Sequence, residues 1–569
     1  MRWTIFTGVG LAILAACGSQ VPNWRGALSA VQAPAPLAGS RARPTARIEI
    51  DLTRPLHAAS PYVNGYNRNH NHRQFRVHGF DRQAFLQALQ ALAPRWGQRY
   101  QAELQQAGYP ARSQRRGLYR TGHGPTDGRH DYWYLTGYRF LENWGRDGQD
   151  STWDGYPYDD LRYSLQEATE AEAEPLVTIN FGTDTPEAAG NLAAWLNGAR
   201  SELRVQWPPF SGAQSAPPDG AFLFEIGNEV QLRVVRGHEK ARDIARYVAN
   251  AAPYVRQVRQ ASPHPVKVAL AAAVNVFWGG PHDPLRDTFW SQQGQMVRDF
   301  IQAAQREGIR FDALQLHGYP SYPVGEKLAG NAYLAELMAR EIMPALAQAP
   351  YPIEIWNDEF HAASGLPRNT GMYGALYAAD AVVTAFNLSR NGRQLMPITT
   401  DFAAWHAGRG GASDSLYFPE NQVAQPSPIY TFRRWLAHHW GDTIVTSQVQ
   451  NVGFWEDVGA DGSRTRVSLL HVAAAQRQDG GVTLLVVNRS RQPVQAQLVL
   501  KGSSRPETRG RRYTLQPRPG LTDPWNAAWN EVERLEADEL DLAGGISFPA
   551  ASVTFLVAPP MTTRGLSGR

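Results

Sequence analysis

Between residues 60 and 440, short apolar segments alternate with longer amphipathic segments, as strands alternate with helices in α/β proteins. Eight apolar segments have the length of buried strands. They are residues 62–66, 138–141, 176–181, 222–226, 266–276, 313–316, 353–356 and 398–403. Eight such units predict a (β/α)8 TIM barrel with large loops. An open doubly wound sheet is the alternative, but no predicted strand is followed by the Gly-rich phosphate loop that would favour it.

The pattern changes after residue 441, where apolar and polar residues alternate over short segments that turn-forming residues separate. This alternation predicts an antiparallel β-sandwich over residues 441–569. Residues 46–57 contain the same alternation, and we assign them to the sandwich as a strand that precedes the barrel. The barrel then spans residues 58–440. The predicted fold class is α/β, a TIM barrel with an additional antiparallel β-sandwich domain.

The first 17 residues have the layout of a secretory signal, with Arg2, an apolar stretch and the small residues Ala15 and Ala16 before Cys17. They resemble a bacterial lipoprotein signal, in which Cys17 would become the lipidated first residue. Residues 18–45, rich in Pro, Ala, Gly, Ser and Arg, would form a flexible tether. We therefore expect a lipid-anchored, extracytoplasmic protein of the cell envelope, in the outer membrane or periplasm if the cell has two membranes. An ordinary signal peptide is the alternative.

The composition is that of a globular protein, with 43% apolar and 19% charged residues. A net charge of +4 is small for 569 residues and gives no support to nucleic-acid binding. Cys17 is the only cysteine, so an internal disulfide is excluded. The sequence makes no prediction of the oligomeric state.

Catalytic residues of a barrel lie at the carboxyl ends of its strands. Predicted strand 4 ends at Asn228-Glu229, and predicted strand 7 is followed by Glu359. Because a carboxylate at the end of a buried strand is costly, two of them indicate a use, and hydrolysis of a glycosidic bond needs such a pair. The other strand ends supply amides, histidine and aromatic rings, as a carbohydrate site would: Asn67, Trp144, Asn180, His317, Tyr319 and Trp405.

These strand ends resemble those of the clan A glycoside hydrolases, and several local runs are similar to families 51, 39 and 44. The segment 175–189 resembles the family 51 segment after strand 3, and 312–319 resembles the strand 6 segment that brings a His and an aromatic residue to the site. Asp358-Glu359-Phe360-His361 resembles the Asp-Glu-Trp-Asn run that holds the family 51 nucleophile, with Phe for Trp and His for Asn.

The resemblance implies a retaining enzyme that works by double displacement without a metal or other cofactor. Glu229 would be the general acid/base and Glu359 the nucleophile, with the two carboxyl groups about 5–5.5 Å apart. Asn228 would bind the hydroxyl next to the anomeric carbon. The remaining candidates would contact the nucleophile or the sugar: His317 and Tyr319 beside Glu359, Trp405 as the floor of the sugar subsite, and Asn67, Asn180 and Trp144 as further substrate-binding residues.

Three neighbouring carboxyl groups have structural interpretations instead. Glu354 would face away from Ile353 and Ile355 in a strand and form a salt bridge. Asp358 would cap a helix or order a neighbour, and Glu225 would likewise be structural and not catalytic.

Two other functions stay open. His70-Asn71-His72 after strand 1, with Glu229, His317 and Asp401, would suit a metal-dependent amidohydrolase, although the end of strand 5 offers no histidine. A surface lipoprotein that binds glycan without cleaving it is the other possibility. The sequence leaves open the sugar, its linkage, and whether cleavage is internal or terminal.

Overall fold

The computed structural model describes residues 46–67, 82–110, 117–120, 152–153, 156–157, 161–179, 181, 185–199, 220–228, 230, 243–272, 293–318, 335, 338–360, 370–401, 403–405, 415–420, 423–458, 464–503 and 509–560. Strands and helices are numbered in chain order. The strands up to residue 426 are β1 (Ala46–Ala58), β2 (Gly65–Asn67), β3 (Gly117–Arg120), β4 (Thr152–Trp153), β5 (Tyr156–Pro157), β6 (Ala173–Ile179), β7 (Leu223–Ile226), β8 (Lys267–Leu270), β9 (Ala313–Gly318), β10 (Glu354–Phe360), β11 (Ser389–Arg390), β12 (Arg393–Gln394), β13 (Ile398–Asp401), β14 (Ala403–Trp405), β15 (Ser415–Glu420) and β16 (Val423–Pro426).

The later strands are β17 (Thr443–Gln450), β18 (Phe454–Val458), β19 (Arg464–Ser468), β20 (Leu470–Gln476), β21 (Val482–Asn488), β22 (Val494–Lys501), β23 (Arg509–Pro517), β24 (Val532–Asp541), β25 (Gly545–Phe548) and β26 (Ser552–Ala558). The α-helices are α1 (Arg82–Gln90), α2 (Gln98–Gln106), α3 (Leu161–Glu170), α4 (Pro186–Leu196), α5 (Ile244–Ala261), α6 (Gln293–Arg306), α7 (Met343–Leu346), α8 (Met372–Asn387) and α9 (Pro428–His439). A π-turn, Met338–Ile342, precedes α7, and 3-10 turns lie at Pro61–Val63, Pro524–Asn526 and Trp529–Glu531.

Eight parallel strands close into a barrel in the order β2, β3, β6, β7, β8, β9, β10, β13. The barrel closes where β13 pairs with β2, with Thr400 opposite Gly65. The predicted fold class, a TIM barrel with an additional β-sheet domain, is confirmed. Seven of the eight strands overlap the predicted segments.

The second predicted strand is wrong, because β3, and not residues 138–141, stands between β2 and β6. β3 has only four residues and ends in Arg120, so it shows neither the length nor the apolar run of a buried strand. All four residues of β3 are nevertheless buried, so tertiary packing and not the local sequence pattern makes this segment a barrel strand. Residues 138–141 lie outside the described part of the chain.

The second β structure is a nine-stranded sheet in the order β24, β23, β26, β21, β20, β17, β1, β22, β25. The first strand of the described residues lies inside it: β1 pairs antiparallel with β17 and parallel with β22. The remaining neighbours within the sheet are antiparallel. The sheet domain therefore consists of strands from both ends of the described chain, and the residues between them form the barrel.

Both faces of the sheet are apolar, and period-two alternation sends them into different cores. Leu485 and Val487 of β21 pack in the large core that also holds the barrel and its helices. Leu484 and Val486, on the opposite face, pack with Ile48 in a second core within the sheet domain. Helix α8 lies in the large core and is buried from Met372 to Phe386, as expected for a helix that is apolar on all sides.

A buried ionic group links α8 to the sheet. Asp380 Oδ1 accepts hydrogen bonds from Arg489 Nε at 2.7 Å and from the His471 ring at 2.7 Å. Burial alone would raise the pKa of Asp380, but the charge of Arg489 and the contact with His471 outweigh it and hold this pKa below its ordinary value. Asp380 is therefore ionised, and it fixes the contact between barrel and sheet.

Among the described residues, no helix has the length and apolar character needed to cross a membrane.

We expect Gly371→Ala to destabilise the protein by about 1–3 kcal/mol, as overpacking does in a closed contact. Gly371 precedes α8, and the Met372 amide donates to the carbonyl oxygen of Ala527, in the loop after β23, at 3.0 Å. A methyl group at residue 371 would clash with that oxygen. Gly545→Ala is the matched control, because a methyl group there meets open space. Chemical denaturation that shows equal stability for the two variants would contradict the described contact.

Candidate active site

Five strands bring polar side chains to the carboxyl end of the barrel. The side chains come from β2, β3, the turn after β7, β9 and β10, and each residue is no more than 4% exposed: Asn67, Arg120, Asn228, His317 and Glu359. Buried polar groups at this density must bond one another or a ligand. Three of them, Asn67, Asn228 and Glu359, bond the fourth, Arg120.

Arg120 is the centre of this network. Its Nη1 donates to Glu359 Oε2 at 2.7 Å and to Asn67 Oδ1 at 3.3 Å. Its Nη2 donates to Asn228 Oδ1 at 2.6 Å, and its Nε donates to Glu225 Oε1 at 2.9 Å. One planar guanidinium therefore joins β3 to β2, β7 and β10, with the fork geometry that only arginine provides.

Arg120 keeps its positive charge although it is buried. Burial alone would lower the pKa of Arg120, but Glu225, Asp358 and Glu359 outweigh it and raise this pKa above its ordinary value. The sequence prediction missed Arg120 because the second barrel strand was placed at residues 138–141. A buried arginine among carboxylates leaves no periodic signal in a four-residue strand, so only the barrel topology reveals it.

Glu359 lies near the end of β10, opposite His317 of β9 in the strand register. Besides Arg120, it has His317 Nδ1 at 3.8 Å from Oε2. A carboxylate that accepts a charge-assisted hydrogen bond is favoured in its ionised form. This is the environment that an anionic nucleophile requires.

Asn67 is engaged by the protein. Its side-chain amide donates to the carbonyl oxygen of Asp358 at 2.9 Å, to Thr400 Oγ1 at 3.0 Å and to the carbonyl oxygen of Asp401 at 3.2 Å. Asn67 therefore ties the ends of β2, β10 and β13 together, and its amide hydrogens are directed at these strands.

The three neighbouring carboxyl groups have separate surroundings. Glu354 forms the predicted salt bridge, with Lys267 Nζ at 2.6 Å from Oε1. Glu225 accepts hydrogen bonds from Arg120, Thr178 and Gln315. The side chain of Asp358 lies between Arg120 and His317, and it does not cap a helix.

Of the remaining predicted site residues, Trp405 alone lies within the described part of the chain. Trp405 ends β14, the short strand after barrel strand β13, where it pairs in parallel with Tyr417 of β15. Other candidates lie outside the described residues: Glu229, Asn180, Trp144, Tyr319 and Cys17. Their roles, and the separation of Glu229 from Glu359, stay predictions.

Asp401, which the metal hypothesis would use, is bound by arginine. Arg433 donates from Nε to Asp401 Oδ2 at 2.8 Å and from Nη2 to Oδ1 at 3.0 Å. This bidentate pair neutralises the carboxylate within the protein. In the described part of the chain, no group of three or more His, Cys, Asp or Glu residues could hold a metal ion. His70 and His72 lie outside that part.

No sequence-family model matches the chain, and no curated protein matches it significantly. Solved structures do match. The family 51 α-L-arabinofuranosidase of Thermotoga petrophila has 16% identity and a TM-score of 0.63, with 90% of this chain and 100% of that chain covered. A family 51 α-L-arabinofuranosidase of Bifidobacterium longum has 14% identity and a TM-score of 0.64, with 91% and 99% covered. A bifunctional glucanase-xylanase from a metagenome library has 14% identity and a TM-score of 0.50, with 91% and 99% covered. The chain is therefore similar in fold to family 51 and related clan A glycoside hydrolases over nearly its whole length.

Proposed function

We propose that the protein is a retaining glycoside hydrolase that cleaves O-glycosidic bonds of a polysaccharide or oligosaccharide. The observation that carries the proposal is the buried contact of Glu359 with Arg120 at the carboxyl end of a TIM barrel. Arg120 also binds Asn228, whose neighbour in the sequence is Glu229. A carboxylate held in its ionised form beside the segment that carries a second glutamate is the arrangement that double displacement needs.

The reaction has two steps. Glu359 attacks the anomeric carbon, the bond to the leaving oxygen breaks, and Glu229 gives that oxygen a proton. Glu229 then takes a proton from water, the water oxygen attacks the anomeric carbon, and Glu359 leaves as a carboxylate. Because Arg120 binds Glu359 Oε2 at 2.7 Å, it fixes the rotation of the carboxylate and assigns the attack to Oε1.

The substrate class is proposed from the fold and the strand ends together. Solved structures with this fold include α-L-arabinofuranosidases and a glucanase-xylanase. The predicted site residues Trp405, Tyr319, Asn180 and Trp144 would supply the aromatic faces and the amide that sugars bind. Aryl arabinofuranosides, xylosides and glucosides are therefore the first substrates to assay, followed by polysaccharides built from these sugars.

We also propose that Cys17 carries the lipid that anchors the enzyme outside the cytoplasm, with residues 18–45 as the tether. This position suits an enzyme whose substrate is a polymer that does not enter the cell. The support is the order of charged, apolar and small residues before Cys17 and the absence of any other cysteine in the sequence.

We expect Glu359→Gln to lower kcat on aryl glycosides by about a thousandfold or more, because the amide is a poor nucleophile. Glu539→Gln, the same change at an exposed residue of β24, is the control and should keep full activity. The anomer first formed by the wild-type enzyme, followed by NMR, should have the configuration of the substrate. Inversion, or an active Glu359→Gln variant, would contradict the proposed mechanism. Loss of wild-type activity in a chelator would favour the amidohydrolase alternative.

We expect Arg120→Lys to lower kcat by about a hundredfold, because an ammonium group cannot hold Glu359, Asn228 and Glu225 together in one plane. The control is Arg259→Lys, where the partly exposed arginine makes a single contact of 2.6 Å with Asp312. Steady-state kinetics and a thermal melt separate loss of activity from loss of fold. A folded Arg120→Lys variant with the kcat of the wild type would show that this residue does not position Glu359.

We expect Cys17→Ser to abolish the incorporation of labelled fatty acid into the protein. The reason is that only a thiol at this position can form the thioether link to the lipid. Ser19→Ala, which keeps Cys17, should stay in the membrane fraction and take up label. A Cys17→Ser protein that takes up as much label as the wild type would exclude the lipid anchor at Cys17.

A further inference from the structure

Three buried carboxyl groups surround the single guanidinium of Arg120. Glu225 lies on β7, and Asp358 and Glu359 lie on β10, with side chains that are at most 5% exposed. The other titratable group that faces them within the described residues is His317 of β9. If all three carboxyl groups were ionised, negative charge would exceed positive charge in this buried cluster, even with His317 protonated. Such an excess is costly, and the ordinary response is that one group keeps its proton.

The hydrogen-bond donors show which group this is. Glu225 accepts from Arg120, Thr178 and Gln315, and Glu359 accepts from Arg120. In contrast, neither side-chain oxygen of Asp358 accepts a hydrogen bond from any residue that the structure describes, although both are buried.

The nearest cationic groups do not reach Asp358. Arg120 Nε lies 3.8 Å from its Oδ2, and His317 Nε2 lies 3.5 Å from its Oδ1. Both distances exceed the 2.7–3.2 Å or so of an N–H···O hydrogen bond. An ionised Asp358 would therefore be buried with no donor among the described residues.

A protonated Asp358 has a hydrogen-bond acceptor beside it. Its carboxyl group can donate to Glu225, whose oxygens are held in place by their three donors. Burial raises the pKa of Asp358 well above its ordinary value, and the adjacent charge of Glu225 raises it further, against the opposing charges of Arg120 and His317. Two carboxyl groups that share one proton are a familiar outcome of such proximity.

We propose that Asp358 is a positioning residue that stays protonated at neutral pH and donates its proton to Glu225, which leaves the charge of Arg120 to Glu225 and Glu359. The proposal deepens the proposed function and rests on it, since its consequence concerns Glu359 as the nucleophile. With Asp358 neutral, Arg120 faces the negative charges of Glu225 and Glu359 and no third one. The negative charge that faces the anomeric carbon is then that of Glu359, which is also the charge that the reaction consumes.

The dependence of stability on pH tests the proton on Asp358. A folded-state pKa above the unfolded value means that the native protein binds more protons than the unfolded chain, so this group lowers stability as pH rises from about 3.9 towards the folded pKa. Asp358→Asn removes that loss and keeps a donor for Glu225. We expect its Tm to exceed that of the wild type near neutral pH and the difference to shrink on acidification.

Asp380→Asn is the matched control, because Asp380 is equally buried but is ionised by Arg489 and His471. Its pKa is below the ordinary value, so its stabilising contribution is present above the unfolded pKa and is lost as pH falls. Asp380→Asn should therefore lower Tm near neutral pH, with a deficit that shrinks on acidification. The two variants change Tm in opposite directions. If Asp358→Asn behaves like Asp380→Asn, Asp358 is ionised and the proposal is wrong.

Infrared spectroscopy gives a second reading that does not depend on stability. In protein labelled with 13C-aspartate, the carbonyl stretch of a protonated carboxyl group should appear at neutral pH and should disappear in Asp358→Asn. The label excludes Glu229, which is predicted to be protonated but is a glutamate. Absence of the band in the wild type, or its survival in Asp358→Asn, would overturn the proposal. If Asp358→Asn does not fold, Asp358→Ser replaces it.

Neither measurement uses catalytic turnover. Failure of the proposed function would appear as an active Glu359→Gln variant and would leave the melts and spectra unchanged. Failure of the Asp358 proposal would appear in the melts and spectra of a protein that still cleaves glycosides through Glu359.

Discussion

The site depends on one constraint, which is that a single guanidinium must satisfy acceptors from several barrel strands at once. Arg120 contacts Asn67, Glu225, Asn228 and Glu359 from the carboxyl end of β3. Each acceptor is buried and would be costly without the arginine, and the arginine would be costly without them. The closed barrel makes this possible, since only a closed sheet directs the ends of strands that are distant in sequence towards one centre.

The same constraint explains why the surrounding residues are used structurally. Asn67 occupies a strand end that would suit sugar binding, yet its amide holds the backbone of β10 and β13. Asp401 ends the last barrel strand and is neutralised by Arg433 of α9. A site with this much buried charge needs supporting contacts that hold the strands in register, and these residues supply them.

Much of the fold could be predicted from the sequence, because the barrel strands other than β3 have apolar runs and the sheet strands alternate. The two glutamates stood out for a related reason, since a carboxylate after an apolar run breaks the pattern. Arg120 could not be predicted in the same way. Its strand has four residues, and its partners Asn67, Asn228 and Glu359 are up to about 240 residues away, so their contact exists only once the barrel closes. The local sequence pattern therefore predicts the residues that accept hydrogen bonds, whereas Arg120, the donor, is found only from the topology of the closed barrel.

The position of β1 has a consequence for the way in which the molecule comes into being. This strand leaves the ribosome before any barrel strand, but its partners β17 and β22 follow only after the whole barrel has been made. At ordinary rates of synthesis, Ile48 and Ile50 wait roughly 20 to 80 s for a surface to cover them. For that interval the nascent chain presents β1 as an unpaired apolar strand, which is a site for early aggregation that chaperones would have to cover.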